Sequence, residues 1–201
     1  MKNNLEKFFS EIQDSQIYEN YDFSNLDFDN KEYNQVQFYN CKFERTNFQY
    51  TKFKNCVFEK CEFKHTDCSL IKIIDCSFSE TTFFKSKLLA SNWNWNNIVF
   101  SINFDNSILD KSSFDTITMN NFKFNKCSLI DWIFTWTSLI EAKFIECNLE
   151  KCQFLNCNLT KADFSSSYNY FINANNNIIK NAVFSLPEAA SLLQNFEIKI
   201  K

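Results

Sequence analysis

The chain has 201 residues, no glycine, one histidine and a formal net charge of -3. Without glycine it cannot carry the P-loop, the dinucleotide-binding motif or the nucleophile elbow, since each of these requires glycine at fixed positions. A single histidine excludes a multi-histidine metal site, and the mild acidity argues against direct binding of a nucleic-acid backbone. We therefore expect a protein that is not an enzyme, with no catalytic residues, no metal and no other cofactor.

Residues 1–17 form the first predicted element. Leu5, Phe8, Phe9 and Ile12 recur at helical spacing, which predicts a short helix over residues 3–14 that caps the N-terminal end of the fold. The segment has no apolar core of the kind a signal peptide contains, and no apolar stretch of about 18 residues follows. The sequence thus predicts a cytoplasmic protein that makes no membrane contact.

Residues 18–184 form the second element, in which a large apolar residue recurs every five positions. Residues 41–65, for example, read CKFER, TNFQY, TKFKN, CVFEK and CEFKH. Around each large central residue i, position i−2 is small and positions i−1, i+1 and i+2 are polar. A period of five fits neither a helix nor a flat strand and indicates a repeat architecture. Two inward positions per unit require a corner in each unit, and four sides close a coil of 20 residues.

This pattern resembles the pentapeptide-repeat family. The resemblance implies an all-β fold, a right-handed four-sided β-helix of about eight coils, with positions i and i−2 filling the interior. A spacing of 20 residues then places a set of phenylalanines on one side as an internal column. The predicted column is Phe43, Phe63, Phe83, Phe104, Phe124, Phe144, Phe164 and Phe184. Because glycine is absent, we expect asparagine to occupy the corners.

The nine cysteines follow the same register. Cys68 occupies a central position, and the other eight occupy position i−2, which they share with alanine, serine and threonine. This distribution predicts small buried residues in the reduced state. Use of the cysteines in disulfides or in metal binding is the alternative.

The repeat is irregular in its middle part. Around Ser91–Asn103 the frame shifts by one residue, and we place the extra residue near 99–103, where a bulge would absorb it. Large residues replace the small one at Ile117, Phe122 and Trp132. The pattern leaves open whether Phe122 and Trp132 point into the coil or away from it.

Three aromatic residues, Trp95, Phe100 and Trp136, form a candidate partner-binding patch in the same region. Trp95 and Trp136 fall at outward i+2 positions on one side of the predicted coil. The alternative is that these aromatic residues fill the irregular stretch from within.

Residues 185–201 form the third element. Ser185 and Glu188 match a capping box before a helix of about ten residues, and 197–200 alternates as a short strand does. This tail resembles the C-terminal module of Qnr-type and mycobacterial-type pentapeptide-repeat proteins, which protect DNA gyrase from quinolones. The resemblance implies a homodimer, and the alternative is a helix that folds back as a cap. The implied dimer contacts are Leu192, Leu193, Phe196, Ile198 and Ile200.

One side of the predicted rod carries more carboxylates than lysines. Asp110, Asp131 and Glu150 form its candidate topoisomerase-facing acidic strip, and the alternative is that they are ordinary solvated charges. The family resemblance implies a DNA-mimicking protein that binds a type II topoisomerase, DNA gyrase, and modulates it or protects it from quinolones or other gyrase poisons. The alternative is an interaction scaffold of the same type with an unrelated protein partner. Neither function requires direct contact with nucleic acid.

Overall fold

The computed structural model describes residues 7–8, 11–93, 98–99 and 101–196. These residues form an all-β parallel solenoid of about eight coils, as the sequence predicted. In chain order the strands are β1 (Lys7–Phe8), β2 (Ile17–Glu19), β3 (Tyr21–Asp22), β4 (Glu32–Asn34), β5 (Gln37–Tyr39), β6 (Lys42–Glu44), β7 (Lys52–Lys54), β8 (Val57–Glu59), β9 (Glu62–Lys64), β10 (Lys72–Ile74), β11 (Ser77–Ser79), β12 (Thr81–Phe84), β13 (Asn92–Trp93), β14 (Ile98–Val99), β15 (Ile102–Asp105), β16 (Ser113–Asp115), β17 (Lys123–Asn125), β18 (Ile133–Thr135), β19 (Lys143–Ile145), β20 (Gln153–Leu155), β21 (Asp163–Phe164) and β22 (Val183–Phe184).

Three parallel sheets and one row of single bridges make the four sides of the coil. The first sheet contains β1, β3, β6, β9, β12, β15, β17, β19, β21 and β22. The second contains β4, β7, β10, β13, β16, β18 and β20, and the third contains β2, β5, β8, β11 and β14. The fourth side is a row of single bridges from Asp27 to Tyr168. Further bridges from Thr118 to Ile178 continue the third side into the C-terminal coils.

The predicted phenylalanine column is present on the first side and begins one coil earlier, at Phe23. Successive rings from Phe23 to Phe184 are nearly parallel, with interplanar angles of 4–18°. Their centroids lie 4.5–5.6 Å apart, close to the strand spacing of about 4.8 Å. Burial of each ring contributes roughly 1.5–3 kcal/mol, so this column is a large part of the core energy.

The sequence predicted asparagine at the corners, but the corners of the structure do not depend on this residue type. Thirty residues, none of them glycine, adopt a positive φ of 49–63° at successive corners, and only ten of them are asparagine. Tyr50, Leu70 and Trp136 are among the others. At most of these corners the backbone N–H donates to a carbonyl of the next coil, as from Asn25 to Glu44 at 2.7 Å. This hydrogen bond offsets the roughly 1–2 kcal/mol cost of the left-handed conformation. The backbone hydrogen bonds between coils therefore determine the conformation of the corner residue, and its residue type does not.

The N-terminal segment is not the predicted helix where the structure describes it. Lys7–Phe8 forms strand β1 and pairs in parallel with Tyr21–Asp22, while residues 11–13 have no regular structure. The prediction of a helix over 3–14 is therefore wrong for these residues. The reason is that the first coil exposes unpaired backbone groups at its edge, and an added strand satisfies them where a helix cannot.

The one extra residue lies earlier than the sequence predicted. Trp93 pairs with Ile73 at a spacing of 20 residues, whereas Val99 pairs with Phe78 at a spacing of 21. The shift is complete before Val99, so its placement near 99–103 is wrong. Pairing with the preceding coil sets the register of this strand and makes Val99 its central residue. The five-residue period alone places the central residue one position earlier.

The large residues at the i−2 position all point into the coil. Ile117 and Phe122 are each 4% exposed, and Trp132 is fully buried. The Trp132 ring stacks on Phe134 at 5.4 Å with an interplanar angle of 5°, and it lies 5.0 Å from the ring of Phe114. The structure thus answers the question that the pattern left open.

A helical segment follows Ser185. It consists of a short α-helix, α1 (Leu186–Ala189), and a 3₁₀ helix over Ala190–Phe196. The predicted capping box has a different geometry, because the Ser185 hydroxyl donates to the Glu188 carboxylate at 2.7 Å and caps no backbone N–H. The predicted strand at 197–200 lies outside the described residues.

A small apolar cavity interrupts the packing of the rod near Cys68. Cys68 stands in a column between Phe48 and Leu88, where its shorter side chain leaves space. The cavity has a volume of about 10 Å³, and its lining, which includes Ile73 and Trp93, is entirely apolar. An apolar space of this kind stays dry, and it represents packing energy that the chain does not use.

Replacement of Cys68 by leucine should stabilise the protein by about 1 kcal/mol, because leucine fills the cavity and occurs elsewhere in the same column. Urea denaturation would measure the change. The same replacement at Cys147, which is fully buried at the small i−2 position and donates to the Phe124 carbonyl, should destabilise by about 1–3 kcal/mol. Equal destabilisation by both variants would contradict the packing argument.

Candidate interaction surfaces

The predicted acidic strip lies on the fourth side of the coil. Asp110, Asp131 and Glu150 follow the buried central leucines of three successive coils. The Ser128 hydroxyl donates to Asp110 Oδ1 at 2.6 Å, and the backbone N–H of Ile130 donates to the same oxygen at 2.9 Å. One carboxylate of the strip therefore also holds two coils together.

The strip contains lysines as well as carboxylates. Lys151 Nζ lies 4.0 Å from Glu150 Oε1, and Lys111 follows Asp110 at an exposed corner. Duplex DNA carries one charge per about 1.7 Å, or about eight charges over three coils of about 4.8 Å. Three carboxylates beside two lysines fall well short of that density. The fold brings the three acids to the same side of three successive coils, with Asp131 at the corner column of Lys111 and Lys151, but it does not reproduce the charge of DNA.

The candidate aromatic patch is described only in part. The Trp136 side chain is 65% exposed at the corner between the second and third sides. Trp95 and Phe100 lie outside the described residues. The structure therefore establishes one exposed indole and leaves the three-residue patch a prediction.

The cysteines are buried side chains of the core, as predicted. All nine are buried and none forms a disulfide, and seven of the eight at position i−2 donate their thiol hydrogens to backbone carbonyls. Cys41 donates to Tyr18 at 3.4 Å, and Thr46 donates in the same way to Phe23 at 2.9 Å. Burial raises the pKa of the Cys68 thiol to about 12, which makes it unreactive at neutral pH.

The helical segment combines one inward and several outward apolar residues. Leu192 is partly buried against the core, whereas Leu193 is 42% exposed and Leu186 is 89% exposed. Phe196 ends the 3₁₀ helix, and Ile198 and Ile200 lie outside the described residues. Leu192 therefore contributes to a cap on the last coil, and Leu193 faces solvent in the single chain.

A side-chain cluster that the sequence did not predict joins the last coil to the helical segment. The buried Tyr170 hydroxyl lies 2.9 Å from the Ser185 hydroxyl and accepts a hydrogen bond from the Ser185 N–H at 2.9 Å. The Ser185 hydroxyl donates to Glu188, which lowers the pKa of that carboxyl. The only sequence signal was the Ser185–Glu188 spacing, which predicted a different hydrogen bond.

Two other kinds of site, a metal centre and a membrane-spanning helix, can be checked within the described residues. Within them, no group of three or more His, Cys, Asp or Glu side chains gathers in the manner of a metal site. None of their helices is long and apolar enough to cross a membrane.

The coil geometry, the internal phenylalanine column and the small i−2 residues define a pentapeptide-repeat protein. The chain belongs to the family described as the SV2A/B/C luminal domain, whose sequence profile matches residues 4–83 and 90–154. No curated protein matches the chain in sequence.

Two solved structures share the fold at low sequence identity. HetL, a pentapeptide-repeat protein involved in heterocyst differentiation regulation from the cyanobacterium Nostoc sp. strain PCC 7120, is 10% identical with a TM-score of 0.58. That match covers 86% of this chain and 88% of HetL. QnrB1, a plasmid-mediated fluoroquinolone resistance protein, is 12% identical with a TM-score of 0.51, over 92% of this chain and 99% of QnrB1. At these identities the similarity establishes the fold alone.

Replacement of Ser185 by alanine should loosen the helical segment, because it removes the hydroxyl that joins Tyr170 to Glu188. We expect faster amide hydrogen exchange over residues 186–193 and unchanged exchange in the central coils. Since the bond to Ser185 lowers the pKa of Glu188, its stabilisation is present above about pH 4.3 and is lost as the pH falls through the lowered value. The matched control is Ser165→Ala, at an exposed hydroxyl with no hydrogen bond among the described residues. Equal exchange in both variants would show that the cluster does not anchor the segment.

Proposed function

We propose that this chain is a non-enzymatic interaction protein, a rod whose outward residues bind a partner protein. The observation that carries the proposal is the division of labour within each unit. Positions i and i−2 fill the interior, including all nine thiols, while positions i−1, i+1 and i+2 form continuous outer columns. The cavity near Cys68, at about 10 Å³, is too small for a ligand, and the polar groups of the repeat lie at the outward positions, so we place recognition on the outer surface.

As partner we propose a type II topoisomerase, DNA gyrase, which the chain modulates or protects from quinolones. Two features support this: the fold shared with QnrB1, and the position of Asp110, Asp131 and Glu150 on the same side of three successive coils. Because the strip is poorer in charge than DNA, mimicry would depend mainly on the shape of the rod. The second candidate is a scaffold with an unrelated partner, which the lysines among these acids favour.

A supercoiling assay with purified gyrase, with and without ciprofloxacin, tests the topoisomerase proposal. We expect the wild-type chain to inhibit or protect the enzyme. The combined variant Asp110→Asn, Asp131→Asn and Glu150→Gln should weaken the effect about tenfold, or about 1.4 kcal/mol. Asparagine at position 110 keeps an oxygen that can accept both inter-coil hydrogen bonds, so the variant removes charge without breaking the fold.

The control carries the same change of charge on other sides of the rod: Glu59→Gln, Glu62→Gln and Glu80→Gln. It should act like the wild type. No effect of the wild-type chain at micromolar concentration would exclude the topoisomerase as partner. Equal weakening by both triple variants would show that total charge matters and the strip does not.

We further infer that the chain forms a homodimer through its C-terminal end. Exposed apolar residues concentrate there, among them Phe171 at 47%, Val183 at 50% and Leu186 at 89% exposure. Apolar surface gathered at one end of a rod is typical of an interface between two copies. The packing of Leu192 on the core supports a dimer in which the helical segment first caps its own coil.

Sedimentation equilibrium tests the dimer. The double variant Leu186→Glu and Leu193→Glu should be monomeric, because it places charges in the proposed apolar contact. The matched control Ile17→Glu changes a residue that is 63% exposed at the other end of the rod, and it should remain dimeric. A dimer of the double variant, or a monomer of the wild type, would contradict the proposal.

We place the chain in the cytoplasm as part of the same proposal. Nine buried cysteines that form no disulfide fit a reducing compartment, since oxidising compartments favour disulfides. The family description refers to a luminal domain, so microscopy of the tagged chain in its own cells is the decisive measurement.

A further inference from the structure

Two adjacent sides of the C-terminal half of the rod are almost free of charge. They comprise the outward positions of the units centred on Phe114, Met119, Phe134, Leu139, Phe154 and Leu159. Only three of these eighteen positions are charged, namely Asp115, Glu141 and Lys161. The other fifteen are Ser, Thr, Asn, Gln, Ile, Leu and one Trp. We name this surface the neutral ridge.

The other two sides of the same coils are highly charged. In the units centred on Phe104, Leu109, Phe124, Leu129, Phe144 and Leu149, ten of eighteen outward positions are Asp, Glu or Lys. On the neutral ridge, Glu141 and Lys161 pair at 2.8 Å, which leaves Asp115 as the one unpaired charge among its positions. Because the sides of the same coils differ, the depletion of charged residues is a property of this surface and not of the repeat as a whole.

An exposed indole stands at the centre of the ridge. Trp136 is 65% exposed and occupies the corner between the two neutral sides. The backbone of Trp136 adopts φ 51°, and its backbone N–H donates to the Leu155 carbonyl at 2.9 Å. The next coil therefore fixes the position of the residue. A tryptophan kept in solvent on a rigid corner is a typical recognition residue.

The polar side chains around Trp136 are held in defined orientations. Asn120 Oδ1 accepts hydrogen bonds from the Ser138 hydroxyl at 2.8 Å and from the Ile140 N–H at 3.1 Å. Asn158 Oδ1 accepts in the same way from the Thr160 hydroxyl at 2.7 Å and from its N–H at 3.1 Å. With each carbonyl oxygen engaged, the amide nitrogens remain donors and the hydroxyl lone pairs remain acceptors for a ligand.

The scarcity of charge, the exposed indole and the oriented polar groups together indicate what kind of ligand the ridge can bind. A charged partner would lose hydration at the ridge and find almost no opposite charge to pair with. A purely apolar partner would bury the amides and hydroxyls without hydrogen bonds. A neutral ligand with hydroxyl groups and an apolar face avoids both penalties, and a sugar ring in its pyranose form has this character. Its C–H face packs on an indole, while its hydroxyls meet amides and hydroxyls.

We propose that the neutral ridge binds a neutral, linear oligosaccharide that lies along the rod axis with one ring on Trp136. The coils repeat every 4.8 Å or so, a distance similar to the length of one sugar unit in an extended chain. Successive units therefore meet equivalent positions, such as Ser138 and Asn158, in successive coils. The ridge adjoins the fourth side at the corner of Asp131 but contains none of the three residues of the acidic strip, so this site is distinct from the one in the proposed function.

Binding of neutral hexasaccharides, namely cellohexaose, mannohexaose and chitohexaose, tests the proposal by isothermal titration calorimetry with the whole chain. We expect at least one of them to bind, and Trp136→Ala to weaken that binding at least tenfold, or about 1.4 kcal/mol. Trp136→Phe should retain part of the affinity, because phenylalanine keeps an aromatic face. A charged oligogalacturonate should bind much more weakly than the neutral chains.

The matched control is Tyr50→Ala, which removes another exposed aromatic residue, 55% exposed, from a left-handed corner on a different side. It should bind like the wild type, and circular dichroism would establish that all variants are folded. No binding of any neutral hexasaccharide at millimolar concentration would overturn the proposal. Equal weakening by the Trp136 and Tyr50 variants would also overturn it. Loss of gyrase binding in Trp136→Ala, without any sugar binding, would instead make the ridge a protein interface.

Discussion

The backbone hydrogen bonds between successive coils are the constraint on which the rest of this structure depends. They join residues 20 positions apart, or 21 where one extra residue is inserted, and they keep equivalent residues in register along the rod. This register stacks phenylalanine on phenylalanine, with ring centroids as close as 4.5 Å. It also holds thirty residues other than glycine in the left-handed conformation, each at a cost of about 1–2 kcal/mol in isolation. A chain without glycine can therefore turn a corner every five residues.

The same register separates stability from recognition. Inside the coil, cysteine and threonine are interchangeable because each is small and donates to a carbonyl of the preceding coil, as Cys41 and Thr46 do. Outside, each column is free to carry side chains of any type, because these residues do not enter the core. The C-terminal coils use this freedom unevenly, with acids and lysines on two sides and neutral polar groups around Trp136 on the other two. Asp110 is an exception, since its carboxylate serves both the outer surface and the ladder.

The ends of the rod are where this constraint stops, and each end is completed differently. At the N-terminus, strand β1 supplies the missing neighbour of the first sheet. At the C-terminus, a helical segment covers the last coil and is joined to it by Tyr170, Ser185 and Glu188. This segment leaves Leu186 and Leu193 exposed, so the C-terminal end combines a cap with apolar surface available to a second copy.

The sequence alone determined the architecture, because a five-residue period is local and is repeated often enough to define the coil, the phenylalanine column and the buried cysteines. Only the tertiary structure decided features that depend on a neighbouring coil. These include the N-terminal strand in place of a helix, the extra residue before Val99 and the inward position of Trp132. Of the candidate site residues, the sequence placed Asp110 on the outer surface but could not show its bonds to the next coil. Such contacts join residues about 20 positions apart, and no local pattern specifies which partner a side chain will meet there.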